Sequence, residues 1–260
     1  MAEIILYIGI TLIGLIIGSF VNVLIYRIPR NIGFVWSRSF CPSCKAQIKS
    51  YDNIPVISYL ILGGKCRHCK AIISWRYPLI ELLNGLGYLL LFIYYGPVVP
   101  FGVACFLTSV LIAIFFIDYD FQIIPDILTL PAVIVGLGVS LSPGGMGVVA
   151  SILGLIVGGG ALYLLAIFGD WLFKKESMGG GDIKMAAMLG AFVGWQKIIL
   201  VFFLAAVIGL VVSLIIMLFS KTLRRTRMIP FGPFLATAAM IALLYGDKLI
   251  KFYLQDFLRQ

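Results

Sequence analysis

Leu111-Ile112-Ala113-Ile114-Phe115-Phe116-Ile117-Asp118-Tyr119-Asp120 is an apolar run that ends abruptly in carboxylates. A second junction runs the other way: in Gly179-Gly180-Gly181-Asp182-Ile183-Lys184, a glycine run and an acid open a new apolar stretch. An ionisable group inside or at the edge of hydrocarbon is costly and marks function by default. Two carboxylates that meet in a shielded site share one proton. One then serves as acid and the other as base, the arrangement that activates water in aspartyl proteolysis.

Around these junctions the chain is overwhelmingly apolar. It has 260 residues, 62% of them hydrophobic, and a mean hydropathy of +1.09. That composition predicts an all-α polytopic membrane protein. About 20 apolar residues span a bilayer. Eight segments qualify, at 4–26, 77–95, 98–117, 127–142, 147–169, 184–196, 197–219 and 229–246. Gly194-Trp195-Gln196-Lys197 supplies the only turn signal between the sixth and seventh. The first segment lacks a basic leader and a small-residue cleavage site, so it reads as a retained helix, not a signal peptide.

The net charge of +9 is unevenly placed. Residues 27–76 carry Arg27, Arg30, Arg38, Lys45, Lys49, Lys65, Arg67, Lys70 and Arg76 against the single acid Asp52. Lys174, Lys175 and Lys184 flank the glycine run, and Lys221, Arg224, Arg225 and Arg227 fall in 220–228. The loops Gly96-Pro97-Val98-Val99-Pro100 and Ser142-Pro143-Gly144-Gly145 are uncharged. The positive-inside rule puts the basic loops in the cytoplasm and both termini outside, a parity that eight spans satisfy. Basic loops alternating with apolar spans follow from orientation, so no nucleic-acid partner is expected.

Residues 27–76 form the one sizeable polar insert. It holds Cys41-Pro42-Ser43-Cys44 and Cys66-Arg67-His68-Cys69, two C-x2-C knuckles separated by 21 residues. That spacing closes a four-cysteine zinc site at Cys41, Cys44, Cys66 and Cys69. Two disulfides are the alternative, which a reducing cytoplasm disfavours. A metal staple also suits an insert too short to fold readily on apolar burial. Cys105, inside a span, reads as core packing. His68 is the sole histidine and reads as a solvated knuckle residue, so Ser-His-Asp and Cys-His catalysis are excluded.

Only 11 acids remain to be weighed. Glu3, Asp247 and Asp256 near the termini, and Asp52 and Glu176 in loops, read as solvated charges. Asp170 ends the fifth span. Span counting brings Asp118, Asp120, Asp126 and Asp182 to the same cytoplasmic edge. Asp126, after Ile124-Pro125, reads as a helix N-cap or a supporting residue. Asp182 has a capping reading too. Asp118 does not, because it closes a span where the helix dipole disfavours a negative charge. The glycines before Asp182 are expected to give the chain freedom or to let a substrate backbone approach. An ion pathway would place acids at mid-membrane within repeated halves. Here they gather at one edge. A scaffold binding through its knuckles would leave Asp118 and Asp182 without a role.

At these residues the chain resembles the bacterial prepilin peptidases, the type 4 prepilin leader peptidase/N-methyltransferases, which are GxGD-type intramembrane aspartyl proteases. The likeness covers nearly the whole chain. It runs through Gly18-Ser19-Phe20-Val21-Asn22-Val23 with Tyr26-Arg27-Ile28-Pro29, then both knuckles with Asp52-Asn53-Ile54-Pro55 and Gly64-Lys65-Cys66. It continues through Trp75-Arg76-Tyr77-Pro78-Leu79-Ile80-Glu81, then Phe116-Ile117-Asp118 with Ile124-Pro125-Asp126, and ends in the Gly179–Lys184 stretch. The resemblance implies Asp118 and Asp182 as the catalytic pair. Asp126 matches a recurrent non-catalytic aspartate, and Asp126, Gly179, Gly181 and Lys184 are expected to support the pair. It implies a bacterial inner-membrane enzyme in three parts: a first helix (1–26), a zinc-binding, methyltransferase-associated insert (27–76) and a peptidase domain (77–260). Its substrates are prepilins or pseudopilins with a short basic leader ending in glycine, cut on the cytoplasmic side. The new N-terminus, often phenylalanine, is then methylated from S-adenosylmethionine. Asp52, Glu176 and lipid headgroups are the partners on offer to that basic leader. No G-x-G-x-x-G follows a strand, so the donor site is non-Rossmann, with Gly64, Lys65 and Glu81 as candidates. Four cysteines leave no open position, which makes zinc structural.

Overall fold

The computed structural model describes residues 1–34, 38–142, 145–175, 177–219 and 229–257. Glu176, Lys221, Arg224, Arg225, Arg227, Pro143 and Gly144 lie outside the described residues. The chain is all-α: α1 (Ala2–Arg27), α2 (Ile57–Ile61), α3 (Arg76–Tyr95), α4 (Val99–Phe121), α5 (Asp126–Ser140), α6 (Val148–Phe173), α7 (Gly180–Phe219) and α8 (Gly232–Phe252). Among the described residues no strand forms, and β-pairing is limited to two isolated bridges in the insert. Among the described residues, six helices are long and apolar enough to cross a bilayer, and α5 is a shorter apolar helix.

The eight expected segments correspond to these seven helices because the sixth and seventh lie within α7. That helix breaks at Gly194, whose φ of 80° and ψ of 169° are not helical. The break reverses the chain. A Cβ on Gly158 of α6 would meet both Ala186 and Ile198, which a straight helix would hold about 18 Å apart. Two arms of α7 therefore pass the same level of α6. The second arm also runs antiparallel to α8: Gly209 faces Phe234, while Lys197 lies against Gly246 and pairs with Asp247 at 2.8 Å. Asp247 is thus an ion-pair partner and not only a solvated charge.

The chain forms two compact units, Met1–Ala113 and Ile114–Gln260. In the first, α1 and α3 approach through bare backbone. A Cβ on Gly14 would lie 2.8 Å from Gly85 Cα, and one on Gly18 would lie 2.8 Å from Glu81 Cα. Lipid gives helices no hydrophobic reason to associate, so close glycine contact and buried hydrogen bonds do that work. Asn84 Nδ2 donates to Gly14 O at 2.7 Å, and Ser109 Oγ donates to Asn84 Oδ1 at 2.8 Å. In the second unit, Gly154 and Gly158 of α6 meet Gly190 and Ala186 of α7 in the same way, and Ser151 Oγ donates to Ala191 O at 2.7 Å.

Candidate active site

Asp118 lies in the last turn of α4, which runs on to Phe121, one turn beyond the expected span end. Its side chain is buried, 5% exposed. A carboxylate near a helix C-terminus is disfavoured by that helix. A different helix compensates: the backbone amide of Gly232, the first residue of α8, donates to Asp118 Oδ2 at 3.0 Å.

Asp182 lies in the first turn of α7, with the Gly179 backbone hydrogen-bonded to its carboxylate. This resembles half of a capping box, with the acid at the third helical position reaching back to the residue before the helix. Its other oxygen, Oδ1, is buried and has no hydrogen-bond partner. Asp182 and Asp118 are close enough to repel one another electrostatically. Ile124 sits beside both approaches. A Cβ on Gly181 would lie 2.9 Å from Ile124 Cβ, and one on Gly232 would lie 3.3 Å from Ile124 Cδ1. The sequence suggested that the glycine run serves freedom of the chain. Instead, Gly180 and Gly181 are helical, and what Gly181 needs is room against Ile124.

The capping expectation for Asp126 is corrected. Pro125 occupies the cap position, and Asp126 is the first residue of α5 with no side-chain capping bond. Both its oxygens accept from Lys184 Nζ, at 2.8 and 2.7 Å, tying the start of α5 to the start of α7 two residues beyond Asp182.

In the first unit the four cysteines converge, their sulfurs all within 4.8 Å of one another. A tetrahedral zinc with bonds of about 2.3 Å sets sulfurs about 3.8 Å apart. Cys41 Sγ and Cys69 Sγ are 3.9 Å apart. The two knuckles are built alike, from Cys-x-x-Cys-Lys-Ala. In each, the first cysteine's amide donates to the alanine carbonyl (2.9 Å), and Lys45 and Lys70 both take positive φ. The Cys44 amide, with that of Ser43, brings the Cys41 thiol down to about 6 despite the opposing effect of burial. A thiolate among three further sulfurs is a donor set for a cation.

Residues 105–214 match the type IV leader peptidase family, and residues 12–95 match the bacterial peptidase A24 N-terminal domain. The chain belongs to the type IV leader peptidase family. Proteins named prepilin leader peptidase/N-methyltransferase are similar to it across nearly their full length. The protein from Pseudomonas aeruginosa is 39% identical over 94% of this chain and 92% of its own, and that from Aeromonas hydrophila is 38% identical over 95% and 93%. The protein from Neisseria gonorrhoeae is 36% identical over 91% and 89%. No solved structure matches. With its membrane-crossing helices, the chain is a multi-pass inner-membrane member of this leader peptidase family.

Within this leader peptidase the remaining expected residues have distinct neighbours. Glu81, 8% exposed, accepts the Val56 amide on Oε2 at 2.7 Å and is hydrogen-bonded by Ser19. Val56 has φ 61° and ψ −49°, a costly conformation for a β-branched residue. Gly64, also at positive φ, packs on the Tyr59 ring. The side chain of Asp52, expected in solvent, is instead held by Arg67 of the second knuckle at 2.6 and 2.8 Å. That guanidinium keeps its carboxyl below the usual carboxylate range. The residue the sequence reading missed is Gly232. Its signal is Pro230-Phe231-Gly232-Pro233, which reads only as the opening of a last helix.

Proposed function

We propose that this chain is a membrane aspartyl endopeptidase that removes the leader of type 4 prepilins or pseudopilins after glycine, on the cytoplasmic side, and N-methylates the new terminus. The observation that carries the peptidase reading is the Asp118–Asp182 pair. A buried carboxyl, Asp118, and a half-buried one, Asp182, on different helices lie within electrostatic reach of one another, and the buried Oδ1 of Asp182 lacks any hydrogen-bond partner. Like charges so placed do not both ionise, so the pair holds one proton. The protonated member polarises the scissile carbonyl while the ionised member takes a proton from water. The hydroxide adds to the carbonyl carbon. As the tetrahedral intermediate collapses, the roles exchange, and the leaving nitrogen receives a proton. Asp126 and Lys184 hold the starts of α5 and α7 together, Gly181 lets Ile124 approach, and Gly179 supports the Asp182 carboxylate.

Short helices support access of water to this place. From Gly180 to Val193 the first arm of α7 is about 21 Å long, and α5 is about 22 Å, against about 30 Å of hydrocarbon. Each carries a site acid in its first turn. The basic loops face the cytoplasm and both termini lie outside in this reading. With Asp52 committed to Arg67, lipid headgroups become the chief partners of a basic leader.

Cys41, Cys44, Cys66 and Cys69 would hold a structural zinc, which fastens the insert and leaves no position open for substrate. S-adenosylmethionine would supply the methyl group. We assign Gly64, Lys65 and Glu81 to its neighbourhood, with Glu81 acting through Val56, because its Oε2 is already committed to that amide. Mass spectrometry of a model prepilin with a basic leader and a Gly–Phe junction, incubated with the purified protein in detergent, tests the reading. Wild type should release the leader and add a methyl group. Asp118→Asn and Asp182→Asn should leave the junction intact, and robust cleavage by either would sink the assignment.

A further inference from the structure

We infer that Gly232 is a positioning residue of the peptidase, its backbone amide holding Asp118 as the ionised member of the pair and leaving the shared proton on Asp182. The inference rests on the catalytic reading of that pair. Gly232 lies outside the stretch that matches the leader peptidase family. Its N–H points at Asp118 Oδ2 from the first position of a helix of 21 residues. The positive end of that helix dipole therefore adds to the hydrogen bond. Pro233 carries no N–H, and the Phe234 and Leu235 amides both turn back to Phe231 O. Gly232 is thus the amide of that turn left to Asp118. A side chain here would have to displace Asp118: a Cβ at 232 would lie 2.5 Å from Asp118 Oδ2 and 3.1 Å from its Cγ.

Asp182 is placed differently. Each carboxyl accepts one backbone amide, Asp118 from Gly232 and Asp182 from Gly179, so the difference lies in the remaining oxygen. Asp182 Oδ1 is buried with no partner, and a buried, unpaired charged oxygen costs far more than a neutral hydroxyl. With room for one proton in the pair, it rests on Asp182. Before the first turnover Asp118 is therefore the base that takes the proton from water, and Asp182 the acid that meets the carbonyl. The titratable groups nearest the pair along the surrounding elements are Tyr119 and Asp120 on α4, Asp126 on α5 and Lys184 on α7, with Cys105 on α4 and Lys197 on α7 more than ten residues from either acid. Asp126 and Lys184 neutralise one another, and α8 brings none before Tyr245.

Infrared difference spectra of the full chain in detergent test where the proton sits. The C=O stretch of a protonated carboxylic acid should disappear in Asp182→Asn and persist in Asp118→Asn. Glu81 is common to all samples and subtracts out. The reverse pattern overturns the inference. Kinetics give a second test, because a Cβ at 232 pushes the Asp118 carboxylate off the amide. Gly232→Ala should lower kcat about tenfold or more with KM within about twofold, and should move the acid limb of the pH–rate profile upward. Gly209→Ala is the control: it crowds Phe234 of the same helix at 3.2 Å without touching the pair, and its pH profile should be that of wild type. An unmoved limb in Gly232→Ala, or equal shifts in both variants, overturns the positioning role. Cleavage by either Asn variant would instead overturn the catalytic reading itself, so the two failures are distinguishable.

Discussion

The two compact units treat particular acids differently. In Met1–Ala113, the two acids of the insert and α3, and the amide of Asn84, find partners. Asp52 has Arg67, Glu81 has Val56 and Ser19, and Asn84 has Gly14 and Ser109. In Ile114–Gln260, Asp118 has one amide, and Asp182 keeps an oxygen with none. A satisfied buried polar group stiffens a structure, whereas an unsatisfied one is a cost that native folds retain where chemistry needs it. On the proposed function, the first unit serves as a clamp and the second as the reaction centre.

The contrast breaks most visibly at the acids. Asp118→Asn and Asp182→Asn should each reduce cleavage by about a thousandfold or more, since the two act as one unit. Both should still methylate a peptide that begins with the mature N-terminus. Parallel loss of methylation would erase the division between the units. Metal removal probes the other side. A strong chelator, or Cys66→Ser, should abolish methylation while most cleavage survives, and equal loss of both activities would mean that the whole chain unfolds.

Steric variants sharpen the comparison further. Gly181→Val places atoms against Ile124 and should slow cleavage about 10–100-fold, more than its accompanying loss of thermal stability accounts for, read as kcat beside the melting temperature. Glu81→Ala strands the Val56 amide and should destabilise the first unit by about 1–3 kcal/mol, whereas Glu81→Gln keeps an acceptor and should lose less. Denaturant unfolding of the two variants side by side would expose a mistaken tether if they proved equally stable. The smallest effect belongs to the Asp52–Arg67 pair, whose guanidinium is exposed. Its folded carboxyl titrates below the ordinary value, so its contribution is complete above about pH 3.9 and fades as pH falls through the depressed value. The stability difference between wild type and Asp52→Asn should stay flat from about pH 8 to 5 and shrink only below the usual carboxylate range. A difference that grew with acidity would contradict the pairing.

Much of this protein is written locally. Apolar length sets the spans, basic loops suggest their orientation, paired C-x2-C knuckles announce a metal site, and Asp118 and Asp182 stand out because so few acids interrupt the hydrocarbon. Gly194 was legible as a turn, although not as the reversal of one long helix. These signals need only neighbours in the chain, since burial in lipid acts on each segment by itself. Tertiary structure alone decided the rest. Asp126 looked like a cap until Lys184, 58 residues away, took both its oxygens. Glu81 gave no sign of Val56, nor Asp118 of Gly232, which is 114 residues distant. The physical reason is common to them. A backbone amide has no side chain to advertise it, and a glycine needed for its missing Cβ reads the same in sequence as one needed for its flexibility. Only the approach of another helix tells them apart.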